Sequence, residues 1–169
     1  MKQLTLLSLF ALAAFARAET TITLNGVHNC CRGCANGITK AAADFKDVTV
    51  TPAGKKVTIT TKKKSDAKKV AEAIIAAGYY GTIEGDESAD KKPATASKPE
   101  SKVAKATVSG VHLCCQKCAD AATDAVKAVA GVTKYDIVSK SESFTVEGEF
   151  AKADLVAALN SAGFAGDIK

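Results

Sequence analysis

The chain has 169 residues with a formal net charge of +5 at pH 7, and 24% of its residues are charged. A charge this small does not favour nucleic acid as a partner. The sequence shows no paired carboxylates, catalytic serine arrangement or phosphate-binding glycine loop, which argues against an enzyme. All six cysteines and both histidines lie in two short segments, residues 28–34 and 112–118, so the chemistry of the protein is expected there.

The first 18 residues have the pattern of a secretory signal. Lys2 is followed by an apolar run over residues 4–15 and by Ala16-Arg17-Ala18 before Glu19. The apolar run has about 12 residues, whereas a membrane-spanning helix needs roughly 20. We therefore predict cleavage after residue 18, an exported protein, and no stable membrane insertion after cleavage. Loss of two cationic residues lowers the net charge from +5 to +3.

The remaining chain is a tandem repeat in which the two cysteine segments are offset by 84 positions. The sequence pattern predicts a first domain over residues 19–85 and a second over residues 105–169. Residues 86–104 include Pro93 and Pro99 and have almost no large apolar side chain, which is typical of a flexible linker. We expect the two units to move independently.

In the first unit, alternating apolar residues indicate strands, and apolar residues at helical spacing indicate two helices. The predicted strands are Thr21–Leu24, Asp47–Thr51, Lys56–Thr61 and Thr82–Ile83. The first helix runs from Cys34 towards Phe45, and the second begins at Ser65 as N-cap and ends at Gly78.

The second unit repeats this order. Its strands are expected around Val108, over Tyr135–Val138 and Phe144–Glu149, and at Asp167–Ile168. Its helices are expected over Lys117–Ala130 and through Leu155 to Gly163. Each unit is thus an α+β domain with the order βαββαβ, in which two helices cover one face of a four-stranded antiparallel sheet.

Both cysteine segments lie between the first strand and the first helix of their unit. The free N–H groups and the dipole of a helix N-terminus favour thiolates and lower thiol pKa values. Two cysteines separated by two residues can bind one soft metal ion, as Cys31 and Cys34 can in the first unit and Cys115 and Cys118 in the second.

Each unit resembles the heavy-metal-associated domain, a ferredoxin-like module of copper chaperones, periplasmic mercury-binding proteins and the N-terminal regions of heavy-metal P-type ATPases. The resemblance rests on the element order, the Cys-x-x-Cys after the first strand, and the pairs Gly78-Tyr79 and Gly163-Phe164. It implies a metal-binding, non-enzymatic protein whose partner is a metal-transporting ATPase or another metal-binding domain. It also implies that Tyr79 and Phe164 lie near the metal loops, and it leaves the oligomeric state open.

The sequence departs from the usual family motif by adding a histidine and a third cysteine. The resulting pattern is His-x-Cys-Cys-x-x-Cys. Two thiolates suit Cu(I) or Hg(II), whereas a third thiolate with an imidazole also permits the tetrahedral site that Zn(II) or Cd(II) prefers. We expect about one heavy-metal ion per domain, held separately or in a cluster that both units share. The candidate ligands are Cys30, Cys31, Cys34, Cys114, Cys115 and Cys118, with His28 and His112 as additional candidates.

Two other functions compete with metal capture and transfer. An exported Cys-x-x-Cys can be a dithiol redox site, although in thioredoxin-like enzymes a proline normally faces such a site, and after the first cysteine segment only Pro52 lies in a predicted folded unit. The third possibility is an interaction module whose loops are closed by disulfides.

Overall fold

A computed structural model describes residues 19–84 and 102–169. The predicted signal segment and most of the predicted linker therefore lie outside the described residues. The described residues form two units, each with four strands and two helices in the order βαββαβ. The α+β, ferredoxin-like fold class predicted from the sequence is confirmed.

The first unit is a four-stranded antiparallel sheet with the strand order β2-β3-β1-β4. Its elements are β1 (Thr20–Asn25), α1 (Arg32–Ala41), β2 (Val48–Ala53), β3 (Lys56–Thr61), α2 (Lys64–Ala76) and β4 (Thr82–Ile83). In β3, buried and half-exposed residues alternate, because successive side chains of a strand point to opposite faces. The buried face includes Val57 and Ile59 and packs against the helices.

The second unit repeats this topology with the strand order β6-β7-β5-β8. Its elements are β5 (Val103–Ser109), α3 (Gln116–Lys127), β6 (Val132–Tyr135), β7 (Ser143–Phe150), α4 (Lys152–Ser161) and β8 (Asp167–Ile168). Strand β5 begins at Val103, within the range that the sequence pattern assigned to the linker. None of the described helices is long and apolar enough to cross a membrane.

Several predicted element boundaries are wrong. Helix α1 ends at Ala41, short of Phe45, and helix α3 ends at Lys127, short of Ala130. Helix α2 begins at Lys64 with Lys63 as its N-cap, so Ser65 is already inside the helix. Strand β6 ends at Tyr135, whereas the sequence placed it over Tyr135–Val138. The Glu149 N–H donates to the Gly131 carbonyl at 2.8 Å, and the register of β6 on β7 shifts beside this contact. Strand β6 therefore begins to pair with β7 directly after Gly131.

The two units pack against each other, and their buried side chains form one continuous core cluster. The segments after α2 and α4 meet in an antiparallel bridge between Tyr79 and Phe164. The Tyr80 N–H donates to the Gly163 carbonyl at 3.0 Å, and the Ala165 N–H donates to the Gly78 carbonyl at 3.0 Å. This contact contradicts the predicted independence of the two units.

The glycines at this interface have no space for a side chain. Both have positive φ, +91° at Gly78 and +85° at Gly163. A Cβ on Gly78 would lie 2.5 Å from the His112 backbone nitrogen, and a Cβ on Gly163 would lie 2.3 Å from that of His28. Each glycine therefore allows its own unit to approach the cysteine segment of the other unit.

Replacement of both interface glycines by alanine should separate the units. The matched control is Gly54→Ala, which also has positive φ (+55°) but has nothing within 4 Å of the added Cβ. Each alanine at positive φ costs about 1–2 kcal/mol, whereas only G78A/G163A adds a clash between the units. We expect small-angle X-ray scattering to give a larger radius of gyration for G78A/G163A and an unchanged one for G54A. An unchanged radius for both variants would contradict this role.

Candidate metal centre

The cysteine segments are positioned by the junctions between β1 and α1 and between β5 and α3. Cys31 and Cys115 are the N-caps of these helices, with extended backbones at φ −157° and −153°. Cys34 and Cys118 follow in the first helical turn and are fully buried. Each helix therefore begins at one cysteine and directs another into the interior.

All six cysteine sulfurs meet in one cluster between the two units. The Cys34 Sγ lies 3.5 Å from the Cys114 Sγ and 3.6 Å from the Cys118 Sγ, although these residues belong to different units. Ten sulfur–sulfur distances fall between 3.5 and 3.9 Å, and six of them join the two units. The units thus contribute to a single centre.

The sulfurs are thiols in contact and are not disulfides. All six cysteines are free. The shortest of the ten distances, 3.5 Å between Cys34 and Cys114, is far longer than the about 2.05 Å of a disulfide bond. Six neighbouring thiols provide soft donors, which favour soft ions such as Cu(I).

The two histidines lie beside the cluster but differ in their surroundings. A ring nitrogen of His28 lies within 4.8 Å of the sulfurs of Cys30 and Cys118. His112 lies beside Gly37 of helix α1, with its Cε1 atom 3.2 Å from the position of a Cβ added at that glycine. The Nε2 atoms of both rings are buried and have no hydrogen-bond partner. Burial lowers the pKa of both imidazoles, so both are neutral at pH 7.

The side chains of the two predicted aromatic residues reach across the interface and contact the opposite unit. The ring of Phe164 stacks on His28 of the first unit at 4.3 Å between centroids. The ring of Tyr79 packs on His112 of the second unit at 4.5 Å. The Tyr79 hydroxyl also donates to the Cys34 carbonyl at 3.2 Å, and burial raises the pKa of Tyr79, which keeps this donor protonated. Each aromatic ring therefore packs on the histidine of the opposite unit, and Tyr79 also holds Cys34 of its own unit.

The heavy-metal-associated domain family matches residues 105–165 of this chain. The second unit is therefore similar to the heavy-metal-associated domain family. The match covers the cysteine segment of that unit and its Gly163-Phe164 pair. The first unit has the same element order and the same strand order.

Two similar proteins accompany this family match. The superoxide dismutase 1 copper chaperone of Debaryomyces hansenii is 38% identical over 56 residues, which is 33% of this chain. This chain spans only 22% of that chaperone's length. The solution structure of the N-terminal soluble domains of Bacillus subtilis CopA covers 90% of this chain and 95% of its own length. At 18% identity and a TM-score of 0.33, that likeness does not define how the two units are arranged.

The thiols of the cluster divide into two electrostatic classes. A hydrogen bond from the Cys34 backbone N–H lowers the pKa of Cys31 to about 6, and the Cys118 N–H lowers that of Cys115. Burial raises the pKa of Cys30 to about 12 and also raises those of Cys114 and Cys118. The prediction that the helix N-terminus favours thiolates therefore holds for the N-cap cysteines and is wrong for the thiols whose desolvation is larger.

The sequence identified the cysteines of the centre but did not reveal its construction. All six predicted cysteines come together, and His28 joins them. Sequence reasoning missed Gly37 in helix α1, where an added Cβ would lie 2.2 Å from the Tyr79 hydroxyl. A comparison of the two repeats could have indicated this contact. The second unit has Ala121 at the equivalent position and Phe164, which has no hydroxyl, in place of Tyr79.

Alkylation of the reduced, metal-free protein should distinguish the two thiol classes. Because the pKa of Cys31 is about 6, its thiolate population, and so its rate with iodoacetamide, should be nearly constant from pH 7 to 9. Below pH 6 the rate should fall about tenfold per pH unit. Cys30, with a pKa of about 12, should instead react faster with each increase in pH up to 9, because its thiolate population is still rising. Peptide mass spectrometry measures both rates.

The urea-unfolded protein is the control for this experiment, since unfolding should remove the difference between the two thiols. Equal pH profiles for Cys31 and Cys30 in the folded protein would contradict the assignment.

A double-mutant cycle tests the contact between Gly37 and Tyr79. Gly37→Ala alone should destabilise the protein because its Cβ would overlap the Tyr79 hydroxyl. Gly37→Ala with Tyr79→Phe recreates the Ala121 and Phe164 pair. This double variant should recover the lost stability and keep the helix-propensity gain of alanine over glycine, about 1 kcal/mol. Urea unfolding of the four proteins measures the coupling, and additive effects would exclude the contact.

Proposed function

We propose that this protein captures soft heavy-metal ions, Cu(I) first among them, and hands them to another thiol-containing protein. The observation that carries the proposal is the cluster of six free thiols with sulfur–sulfur distances down to 3.5 Å. Apolar side chains at these six buried or half-buried positions would stabilise the fold as well as the thiols do. Their chemistry explains them better, because thiolates are the preferred ligands of Cu(I).

Copper is favoured by two further observations. The relative from Debaryomyces hansenii is a copper chaperone by name, and its similarity to this chain is 38% over 56 residues. Zinc or cadmium would draw on a fourth donor such as the His28 imidazole, which lies within 4.8 Å of two of the sulfurs, whereas Cu(I) is selected by thiolates alone. We propose that the first unit is a second heavy-metal-associated domain and that Cys30, Cys31, Cys34, Cys114, Cys115 and Cys118 are the ligands.

The exposure of the thiols suggests how an ion leaves. Cys34 and Cys118 are fully buried, whereas the other four cysteines are half-buried. An incoming thiolate would therefore displace one of the half-buried sulfurs first, and the buried pair would release the ion last. Exchange of one sulfur at a time keeps every intermediate coordinated. A metal-transporting ATPase or another metal-binding domain is the proposed acceptor.

The proposed role is binding and transfer without catalysis of a chemical reaction, in an exported protein. Dithiol redox chemistry is the second candidate. The specific observation in its favour is the Cys31 thiol, whose pKa a hydrogen bond lowers to about 6, a property that also activates redox cysteines. Stable metal binding by the reduced protein separates the two functions.

Competition between metal ions and thiol variants tests the proposal. The reduced protein should take Cu(I) from a colorimetric chelator and retain it in the presence of equimolar Zn(II), as metal analysis after desalting would show. The variant C31S/C34S should lose about half of the bound copper, because it removes the Cys-x-x-Cys pair of the first unit and leaves that unit one thiol. Asn36→Ser is the matched control, since it places a serine on an exposed position of helix α1 and leaves all thiols intact.

Each result of this experiment has a defined meaning. Copper retained by N36S and lost by C31S/C34S supports the proposal. Retention of Zn(II) with exclusion of Cu(I) would replace copper by a divalent ion. Failure to bind either metal, together with disulfide-reductase activity, would favour the dithiol function.

A further inference from the structure

The six sulfurs lie at the corners of an octahedron. Each sulfur has four near neighbours, and the twelve edges comprise the ten distances of 3.5–3.9 Å and two more within 4.8 Å, Cys30 to Cys31 and Cys114 to Cys115. Because each sulfur has four of the other five sulfurs as near neighbours, one sulfur is left for each, and it lies opposite across the centre. The opposite pairs are Cys30 with Cys114, Cys31 with Cys118, and Cys34 with Cys115.

The triangular faces of this octahedron have the size of a three-thiolate metal site. The centre of an equilateral triangle lies at the edge length divided by the square root of three from each corner. Edges of 3.5–3.9 Å therefore place a central ion about 2.0–2.3 Å from three sulfurs. That distance matches the metal–thiolate bond of about 2.3 Å. The four faces that do not include the Cys30–Cys31 or Cys114–Cys115 edge can thus hold a three-coordinate soft ion with little movement. The other four faces each include one of these two edges, which lie within 4.8 Å.

A four-thiolate tetrahedral site does not fit this arrangement. Its four sulfurs would all have to be neighbours, but any four corners of an octahedron include an opposite pair. Zinc bound by four thiolates would therefore require the cluster to rearrange. Cu(I) is a soft ion that thiolate ligands select, and the three thiolates of one face supply such a site.

We infer that the two units together hold one cluster of four Cu(I) ions on four faces that share no edge. This inference rests on the proposed copper function and concerns how many ions the site holds and which sulfurs they share. Each ion would have three sulfurs, and each sulfur would bridge two ions. One such set of faces is Cys30/Cys31/Cys115, Cys31/Cys34/Cys114, Cys114/Cys115/Cys118 and Cys30/Cys34/Cys118.

Charge neutralisation favours four ions over two. Six thiolates carry a charge of −6, so two Cu(I) ions would leave −4 within a cluster whose sulfurs are less than 5 Å from their neighbours. Four Cu(I) ions leave −2, which greatly lowers the repulsion among the sulfurs. Because every face in the set includes sulfurs that bridge to other faces, each bound ion organises the sites of the remaining ions. Loading should therefore be cooperative.

Anaerobic titration of the reduced full chain with Cu(I), followed by native mass spectrometry, tests the inference. We expect the metal-free form to convert to a form with about four ions, with little of the two-ion form between them. X-ray absorption should show three sulfur neighbours per copper and a copper–copper contribution. Independent filling of two sites, one per unit, would overturn the cluster and leave the proposed function intact. Failure to bind Cu(I) at all would overturn both.

The interface variant provides a control that keeps every thiol. G78A/G163A adds a Cβ that clashes with the opposite unit, whereas Gly54→Ala adds none. The stoichiometry should fall from about four ions to about two in G78A/G163A, because each separated unit retains three thiols. G54A should still bind four ions cooperatively. Cooperative binding of four ions by a G78A/G163A protein whose radius of gyration shows separated units would overturn the shared cluster.

Discussion

The crossed packing of the two glycine–aromatic segments is the interaction on which the centre depends. Gly78 and Gly163 place the turn after one unit's second helix against the cysteine segment of the other unit. Tyr79 and Phe164 then pack on His112 and His28. The contacts are reciprocal, so the two units are related by an approximate two-fold exchange. Without them, each unit would present three thiols, and no sulfur would have neighbours from both units.

The same packing sets the electrostatic character of the thiols. Where a sulfur lies at a helix N-cap, a backbone N–H compensates the charge of the thiolate, as at Cys31 and Cys115. Where a sulfur lies deeper in the interface, desolvation dominates and the thiol form is favoured, as at Cys30 and Cys118. A bound cation reverses this balance because it replaces the lost hydration. The metal-free cluster is therefore protonated in part, and binding of a cation is coupled to release of protons.

The two units are similar in fold but have diverged at the positions that support the centre. Gly37 in the first unit leaves space for the Tyr79 hydroxyl, which donates to the Cys34 carbonyl. The second unit has Ala121 and Phe164 instead, and so fills the equivalent space with a methyl group. A glycine inside a helix costs about 1 kcal/mol relative to alanine, which the additional buried hydrogen bond offsets.

The sequence by itself determined the local features of this protein. The period of apolar residues specified the order βαββαβ in both units, and the repeated cysteine segments marked six candidate ligands, because these patterns depend only on neighbouring positions. It misplaced the start of helix α2 and the end of strand β6, where tertiary pairing overrides local preference. Only the tertiary structure decided that Cys34 meets Cys114 and Cys118. Contacts between residues about 80 positions apart depend on the docking of two surfaces, and neither cysteine spacing nor the composition of residues 86–104 carries that information.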